Sequence, residues 1–158
     1  MKEQSEDTQL QIDDLDRSIL KTLMADALIP FSEIALTLKV SNGTIHQRFE
    51  KLKKAGIITG SGIKVNPNKL GCGVTAFVGL SLHHASDYLQ VITKLKGFAE
   101  IVEADYTTGD FNIFTKVYVT DIEKLYAFLL KLQTLREIQS TGTSMILHSA
   151  INRDWLGF

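Results

Sequence analysis

The chain has 158 residues, of which 44% are hydrophobic and 22% are charged, and its formal net charge at neutral pH is −1. This composition is typical of a soluble globular protein that forms one domain or two small ones. The single cysteine, Cys72, excludes an intrachain disulfide. No apolar run approaches the roughly 18 residues of a transmembrane helix, and the polar start MKEQSEDTQLQ is unlike a signal peptide. These features predict a cytoplasmic protein that has no membrane partner.

The first predicted domain begins with a helix that follows an acidic tail, residues 1–11, which we expect to be disordered. Asp13 is a good N-cap for this helix, and Asp14 and Asp16 suit its first turn. Pro30 then prevents the helical pattern from continuing into the next element. The apolar stripe of this helix consists of Leu15, Ile19, Leu20 and Leu23.

Residues 32–55 predict two further short helices joined by a tight turn. Ser32 can cap the first of them and Ser41 the second, and Gly56 is placed to end the second. Both helices have apolar residues at helical spacing, which makes one side of each helix suitable for burial. These residues are Ile34, Ala35 and Leu38 in the first helix, and Ile45, Phe49 and Leu52 in the second.

The second of these two helices carries concentrated positive charge. The 26 residues from Lys39 to Lys64 contain six cations and one anion, Glu50, so the segment has a net charge of +5. Focused positive charge is the electrostatic footprint of a nucleic-acid-binding protein. The alternative is a helical hairpin whose lysine-rich face is merely solvated.

A DNA major groove admits one helix, whose first side chains reach base edges while later cations meet phosphates. In a dimer, two such helices would enter successive major grooves about one helical turn apart. The predicted contacts to base edges or near them are Asn42, Thr44, His46, Gln47 and Arg48, beginning at the cap Ser41. The predicted phosphate contacts are Lys51, Lys53, Lys54 and Lys64.

The first domain, predicted to span residues 12–66, ends in a possible hairpin. Ile57–Thr59 and Ile63–Asn66 are rich in β-branched residues and flank the sequence Gly-Ser-Gly. This pattern predicts two strands that form a small wing beside the cationic helix. The alternative is that the segment only connects two domains. Residues 67–73, rich in glycine and proline, are the predicted linker.

The second predicted domain, residues 74–150, precedes a tail at 151–158. Its elements follow the order β-α-β-β-α-β, which is the ferredoxin-like arrangement within an α+β chain. The predicted strands are 74–82, 100–106, 111–119 and 137–148, and the predicted helices are 85–96 and 121–133. The second helix, capped by Asp121, is predicted to turn Ile122, Leu125, Phe128, Leu129 and Leu132 inward.

Both faces of the first predicted strand contain apolar residues. One face carries Ala76, Val78, Leu80 and Leu82, and the other carries Phe77, Gly79 and Ser81. Because the helices of this fold cover only one face of the sheet, the other face must be wet or covered by another molecule. We therefore expect a second copy to pack on it, which gives a homodimer.

The sequence YTTGD at the second predicted turn suits a ligand with both a carboxylate and an ammonium group. Gly109 permits close approach of the backbone, threonine hydroxyls and backbone N–H groups can bind a carboxylate, and Asp110 can accept from an ammonium. The alternative is an ordinary hairpin turn. The predicted effector-binding residues are Tyr106, Thr107, Thr108, Gly109 and Asp110, together with Gln139, Ser140 and Thr141.

We predict no metal, cofactor or catalytic site. His83 and His84 are adjacent on a strand and therefore point to opposite faces, and His148 has no fixed spacing to them. No Ser/His/Asp set, acid–base carboxylate pair or phosphate-binding glycine loop is present.

Four segments resemble the Lrp/AsnC (feast/famine) family of bacterial regulators, over about residues 12–150. They are LDRSIL at 15–20, VSNGTIHQRFEKLKKAGIITG at 40–60, YTTGDFNIFTKV at 106–117 and EIQST at 137–141. GTIHQR and EIQST are most similar to the asparagine-responsive AsnC branch. The resemblance implies an N-terminal winged helix-turn-helix domain that binds double-stranded DNA. It also implies a C-terminal domain that senses a free amino acid, asparagine or another small one, and dimers that assemble into octamers or helical arrays.

Two positions depart from the family pattern. Many relatives have an acidic residue where this chain has Asn112, which bears on the identity of the effector, and Lys39 lies near the turn where a glycine is usual. Some proteins that resemble this architecture are tetrapyrrole decarboxylases, so an enzyme on the same scaffold is one alternative. A stand-alone amino-acid-binding module with a vestigial helix-turn-helix is the other.

Overall fold

The computed structural model describes residues 11–152. Of the predicted tails at 1–11 and 151–158, residues 1–10 and 153–158 lie outside the described residues. The chain divides into two compact units, one formed by the described residues up to Lys64 together with Asn152, and the other by Val65–Ile151. Within the described residues, no helix is both long and apolar enough to cross a membrane.

The first unit is a three-helix domain. Its helices are α1 (Asp14–Ala25), α2 (Phe31–Leu38) and α3 (Asn42–Lys54). They pack around a core whose buried members are Ile19, Ile34, Ala35 and Ile45. Asp13 caps α1, as its position in the sequence predicts.

The prediction that Ser32 caps α2 is wrong. The helix begins at Phe31, and its N-cap is Pro30, which makes no side-chain hydrogen bond to the helix. Proline suits this position for two reasons. Its fixed φ is compatible with the start of a helix, and it has no N–H group that needs a partner. Phe31 lies in the first turn, where its ring packs on that of Phe49, with the ring centroids 5.0 Å apart. Ser32 therefore lies inside the helix.

The turn between α2 and α3 is built around Lys39, which has a left-handed backbone with φ of 57°. The Val40 N–H donates to the Ala35 carbonyl at 3.0 Å, and the Lys39 N–H donates to the Leu36 carbonyl at 3.3 Å. This pair of bonds is the Schellman ending of a helix, in which glycine is the preferred left-handed residue. The Ser41 hydroxyl then accepts from the Thr44 N–H at 3.0 Å and caps α3, as predicted.

The predicted pairing of Ile57–Thr59 with Ile63–Asn66 is wrong for this chain, because residues 57–66 contain no strand. An isolated two-stranded ribbon is at best marginally stable in water, and glycines in it add conformational entropy to the unfolded chain. Ile63 is mostly exposed, so it supplies no apolar contact that would offset this cost. The predicted linker includes a short 3₁₀ turn at Pro67–Leu70.

The second unit has the predicted order of strands and helices. Its strands are β1 (Val74–Leu82), β2 (Ile101–Tyr106), β3 (Ile113–Val119) and β4 (Ile138–Met145), and its helices are α4 (Tyr88–Leu95) and α5 (Ile122–Gln133). The strands form one antiparallel sheet in the order β2-β3-β1-β4. This topology confirms the ferredoxin-like arrangement.

The core of this unit lies between the sheet and its two helices. Ala76, Val78, Leu80 and Leu82 are buried there, together with Leu125, Phe128 and Leu132 of α5. The inward placement predicted for Ile122 is wrong, because its side chain is 63% exposed. At 100° per residue, Ile122 shares its side of the helix with Tyr126 and Leu130, about a third of a turn from the buried stripe.

Candidate DNA-binding surface and effector region

The apolar side of helix α3 packs against the rest of the first unit. Ile45 and Leu52 are completely buried, and Phe49 packs on Phe31 of α2. The remaining positions of the helix are thereby turned toward the surface. Of the predicted DNA-contacting residues, those exposed are Ser41, Asn42, His46, Gln47, Lys53, Lys54 and Lys64. Thr44 is half-buried, and its hydroxyl lies 2.8 Å from that of Ser41.

Arg48 and Lys51 of α3 are bound to carboxylates at the start of α1. The Arg48 Nη1 donates to Asp13 and, at 3.1 Å, to Asp16 Oδ1. The Lys51 ammonium donates to Asp16 Oδ2 at 3.3 Å. Both cations are half-buried. Arg48, predicted to lie at or near base edges, therefore already has two anionic partners within the protein.

Asp16 is the residue whose role sequence reasoning missed. Its side chain is completely buried, although it was expected only to favour the first turn of α1. It forms a capping box with Asp13, in which each carboxylate accepts from the backbone N–H of the other, at 2.8 and 3.3 Å. The signal was available, because Asp16 precedes Ile19 and Leu20 by three and four residues and so shares their buried face.

These contacts shift the pKa values of Asp13 and Arg48. The Asp16 N–H and then the Arg48 guanidinium hold the pKa of Asp13 below its usual value. Hydrogen bonds to Asp13 and then Asp16 raise the pKa of Arg48. The charged form of each group is therefore favoured, and the cluster fixes the middle of α3 to the start of α1.

In the second unit, the loop between β2 and β3 is organised by its own hydrogen bonds. The Thr107 N–H donates to the Asn112 carbonyl at 2.9 Å, and its hydroxyl donates to the Phe111 carbonyl at 2.8 Å. Gly109 has a left-handed φ of 110°, which favours glycine. The side chains of Thr108 and Asp110 remain exposed.

Ser81 of β1 connects this loop with β4. Its hydroxyl donates to the Asp110 carbonyl at 3.0 Å, and Ser81 is the sheet partner of Ser140. Ser140 is thereby placed on the sheet face over which the loop lies. Thr141 is paired with the buried Leu80 and so has the opposite orientation, while Gln139 lies in a bulge of β4.

Tyr106 is also directed away from the helix-free face. It is paired with the buried Ile113, and its ring lies 4.4 Å from that of Tyr88. Tyr88 lines a groove of about 250 Å³ between α4 and β2, which the sequence did not indicate. The predicted effector residues therefore lie on both faces of the sheet. The β2–β3 loop lies at the end of the sheet, next to both sets.

The ring of Phe111 fills a slot made by two glycines. A Cβ atom added to Gly79 or to Gly142 would come within 2.4 Å of this ring. These glycines are cross-strand partners on β1 and β4, so their lack of side chains lets the ring lie flat across both strands. This packing anchors the loop to the sheet, and no pattern in the sequence indicated it.

Asn112 has a structural role at the loop. Its side-chain oxygen accepts from the Leu82 N–H at 2.8 Å, and its backbone N–H donates to the Leu80 carbonyl at 2.9 Å. The amide thus extends the bonding between β1 and β3 beyond the last sheet pair. Its oxygen already has a partner, whatever ligand the loop receives.

Glu137, which precedes the QST segment, ties β4 to α4. Its Oε1 accepts from Lys94 at 2.6 Å and from Gln90 at 2.9 Å. The Lys94 ammonium is the main cause of a pKa below the usual glutamate value. No group of three potential metal ligands occurs among residues 11–152.

Comparison with known proteins matches a protein family to each of the two units. The family described as "Lrp/AsnC ligand binding domain" matches residues 75–156, and the family "Winged helix-turn-helix DNA-binding" matches residues 12–59. The chain is 48% identical over 143 residues to the "Regulatory protein AsnC" of Escherichia coli K12, which covers 90% of this chain and 94% of that protein. The protein of the same name from Haemophilus influenzae is 46% identical, with coverage of 90% and 96%.

Solved structures agree with these matches. The structure of E. coli AsnC superimposes with a TM-score of 0.88 at 45% identity, and the match covers 93% of this chain and 99% of that one. The regulator NMB0573 of Neisseria meningitidis, solved as an L-Met complex, has the same fold with a TM-score of 0.86 at 19% identity, with coverage of 90% and 94%. The relatives are named as regulatory proteins, so the role of this chain is regulatory and not enzymatic. The chain belongs to the Lrp/AsnC family of transcriptional regulators.

Proposed function

We propose that this regulator binds operator DNA through α3 and changes its binding or assembly when a free amino acid occupies the region around the β2–β3 loop. The main support is the arrangement of α3, whose buried underside turns a polar first half and a cationic second half outward. A bacterial regulator that binds chromosomal DNA would act in the cytoplasm.

The side chains of α3 divide into two groups by exposure and charge. Asn42, His46 and Gln47 are exposed in its first half and carry hydrogen-bonding groups suited to base edges. Lys53 and Lys54 follow at the end of the helix, where they suit phosphates. Of the two, base-edge contacts determine which sequence is bound, and phosphate contacts determine the dependence on salt.

Footprinting on genomic fragments would identify the operator, and gel shifts with single variants would test the assigned roles. Gln47→Ala should reduce the preference for the operator over random DNA. Lys54→Ala should weaken binding to both DNAs alike and make the salt slope shallower by about 0.9 for each phosphate contact that is lost, with one such contact in each subunit. Failure of the wild type to prefer any genomic fragment would contradict the proposal.

For the effector, we propose asparagine first, as the resemblance to the AsnC branch implies, and otherwise another small amino acid. The exposed Thr108 hydroxyl and the left-handed Gly109 suit a carboxylate, and the exposed Asp110 suits an ammonium group. Ser140 is the sheet partner of Ser81, whose hydroxyl donates to the Asp110 carbonyl, so Ser140 is our candidate contact from β4. The organised loop supports this assignment because a preordered site loses less entropy on binding.

Isothermal titration calorimetry against all twenty amino acids would test the effector. Asp110→Asn should weaken binding of the amino acid that the wild type binds, since it removes the partner of the ammonium group. Glu33→Gln is a control, because Glu33 is an exposed carboxylate on α2, outside the unit that carries the loop. Absence of heat with every amino acid in the wild type would exclude sensing.

We further propose a homodimer formed by the helix-free face of the sheet. Phe77 and Phe114 lie there with ring centroids 5.6 Å apart, and Phe114 is 37% exposed. Phe114→Glu should convert the dimer to a monomer, as measured by light scattering.

Assembly toward an octamer needs a second surface, for which the exposed stripe of Ile122, Tyr126 and Leu130 is our candidate. A ligand would shift this assembly only by its differential affinity for the assembled states.

A further inference from the structure

We propose that Asp13 and Asp16 act as an electrostatic clamp that increases the discrimination of this regulator between operator and non-operator DNA. The clamp consists of these two carboxylates together with Arg48 and Lys51. This inference rests on the proposed DNA binding by α3. It assigns the two aspartates as positioning residues, which act through the cations that they hold.

The geometry of the clamp restrains both cations. Asp16 is completely buried and uses its two oxygens separately, one for Arg48 and one for Lys51. Asp13 binds the same Nη1 of Arg48 from the rim of the cluster. A fixed carboxylate therefore holds each long side chain near α1, in place of the many rotamers that a solvated Arg or Lys samples.

The first effect of the clamp concerns non-specific binding. Random DNA is bound through its phosphates, and the affinity grows with the number of cations that can reach them. Between Lys39 and Lys64 the chain has six cations and one anion, and the clamp opposes two of these cations with carboxylates. Non-specific attraction is consequently weaker than the charge of α3 alone would give.

The second effect concerns specific binding. Both hydrogen bonds of Arg48 to the clamp use Nη1, and the planar guanidinium carries further donors on its other two nitrogens. An arginine that is already oriented loses less side-chain entropy when it docks. The clamp should therefore weaken binding to random DNA while it favours the single docked geometry of an operator.

A purely structural role would have a different signature. The aspartates also form the capping box of α1, and loss of this helix would reduce binding to operator and random DNA together. The clamp instead requires that the two affinities respond differently. The ratio of operator affinity to random-DNA affinity is therefore the informative quantity.

The experiment uses Asp13→Asn in the full-length chain. Asparagine is as good an N-cap as aspartate, so the start of α1 should be retained, and thermal unfolding would verify this. The matched control is Asp14→Asn. This variant removes the same charge from the same turn, but Asp14 is exposed and, among residues 11–152, makes no ion pair with α3.

Affinities would be measured by fluorescence anisotropy over a salt series, with the footprinted operator and a random duplex of equal length. We expect Asp13→Asn to bind random DNA several-fold more tightly at low salt, with a steeper salt slope, and to lose roughly 3–10-fold in the affinity ratio. Asp14→Asn should change the ratio less than about 2-fold, since it adds only long-range attraction. Asp16→Asn should move the ratio in the same direction as Asp13→Asn.

The outcomes separate the clamp from the function on which it rests. Equal affinity ratios in Asp13→Asn and Asp14→Asn, while the wild type still discriminates, would overturn the clamp alone. A parallel fall of both affinities in Asp13→Asn would also overturn it, in favour of a structural role. A wild type that does not distinguish any genomic fragment from random DNA would overturn the proposed function and the clamp together.

Discussion

The two candidate functional segments of this regulator are held in place by different kinds of interaction. Helix α3 is fixed to α1 by ion pairs from Asp13 and Asp16 to Arg48 and Lys51. The β2–β3 loop is fixed by neutral hydrogen bonds and by the ring of Phe111. The ion pair of the exposed Asp13 depends on pH and salt, whereas packing and neutral hydrogen bonds depend on them little.

This difference suits the chemistry that each segment is proposed to perform. DNA binding is itself electrostatic, so carboxylates that hold cations of α3 also limit the attraction of those cations to phosphates. A small zwitterion gains most from a site whose shape exists before it arrives. Each of the following variants changes one side of this contrast.

The largest effect should come from filling the slot of Phe111. In Gly142→Ala the new methyl group would lie 2.4 Å from the ring, so the ring or the strand must move. Overpacking of this kind costs about 1–3 kcal/mol of unfolding free energy. Urea unfolding followed by circular dichroism would measure it, and the loop should lose amino-acid affinity at the same time.

Two controls make this prediction specific to the slot. A Cβ atom at Gly62 would have no neighbour within 4 Å, so Gly62→Ala should leave the unfolding free energy nearly unchanged. The double variant Gly142→Ala, Phe111→Ala should lose less stability than the sum of its single variants, because the clash is absent. Additive losses would show that the ring does not occupy the slot.

The second prediction concerns the neutral hydrogen bond at the end of β1. Asn112→Ala leaves the Leu82 N–H without its acceptor, which should cost about 1–2 kcal/mol. Asn112→Asp keeps an acceptor oxygen and should cost less. If the alanine variant unfolds at the same urea concentration as the wild type, the side-chain hydrogen bond contributes little to stability.

The third and smaller effect tests the charged side of the contrast. The pKa of Asp13 lies below its usual value, first because of the Asp16 N–H and then because of Arg48. A carboxylate with a depressed pKa stabilises the fold above its unfolded pKa, and this contribution is lost as the pH falls through the folded value. Asp13→Asn has no such group, so its stability should fall less than that of the wild type between pH 5 and about pH 3. Parallel acid titrations of both proteins would contradict the assignment.

Local signals in the sequence were sufficient to predict most elements. The cap at Asp13, the cap at Ser41 and the ferredoxin-like strand order were all predicted correctly. Each depends on a few neighbouring residues or on a short periodic pattern. The prediction of a hairpin at residues 57–66 was wrong, because β-propensity alone cannot supply the apolar contacts that a two-stranded ribbon needs.

The candidate sites depend on partners that are distant in sequence, and these the sequence did not reveal. Asp16 and Arg48 are separated by 32 residues, and the ring of Phe111 crosses two other strands. The types of residue that face DNA or a ligand could be listed from the pattern. The folded chain was needed to show which of these residues already have hydrogen-bond or ion-pair partners within the protein.

The smallest effect concerns the turn that precedes α3. Lys39 has a left-handed backbone with φ of 57°, which is unfavourable for a residue with a Cβ atom. Lys39→Gly removes this strain but also makes the unfolded chain more flexible, so the net stabilisation should be about 0.5 kcal/mol. The reverse change is available at Gly56, which ends α3 with φ of 70° and has no atom near its Cβ position. Gly56→Ala should therefore destabilise the fold by about 1 kcal/mol through backbone strain alone. Opposite shifts of the melting temperature in the two variants would support this account, and stabilisation by both would contradict it.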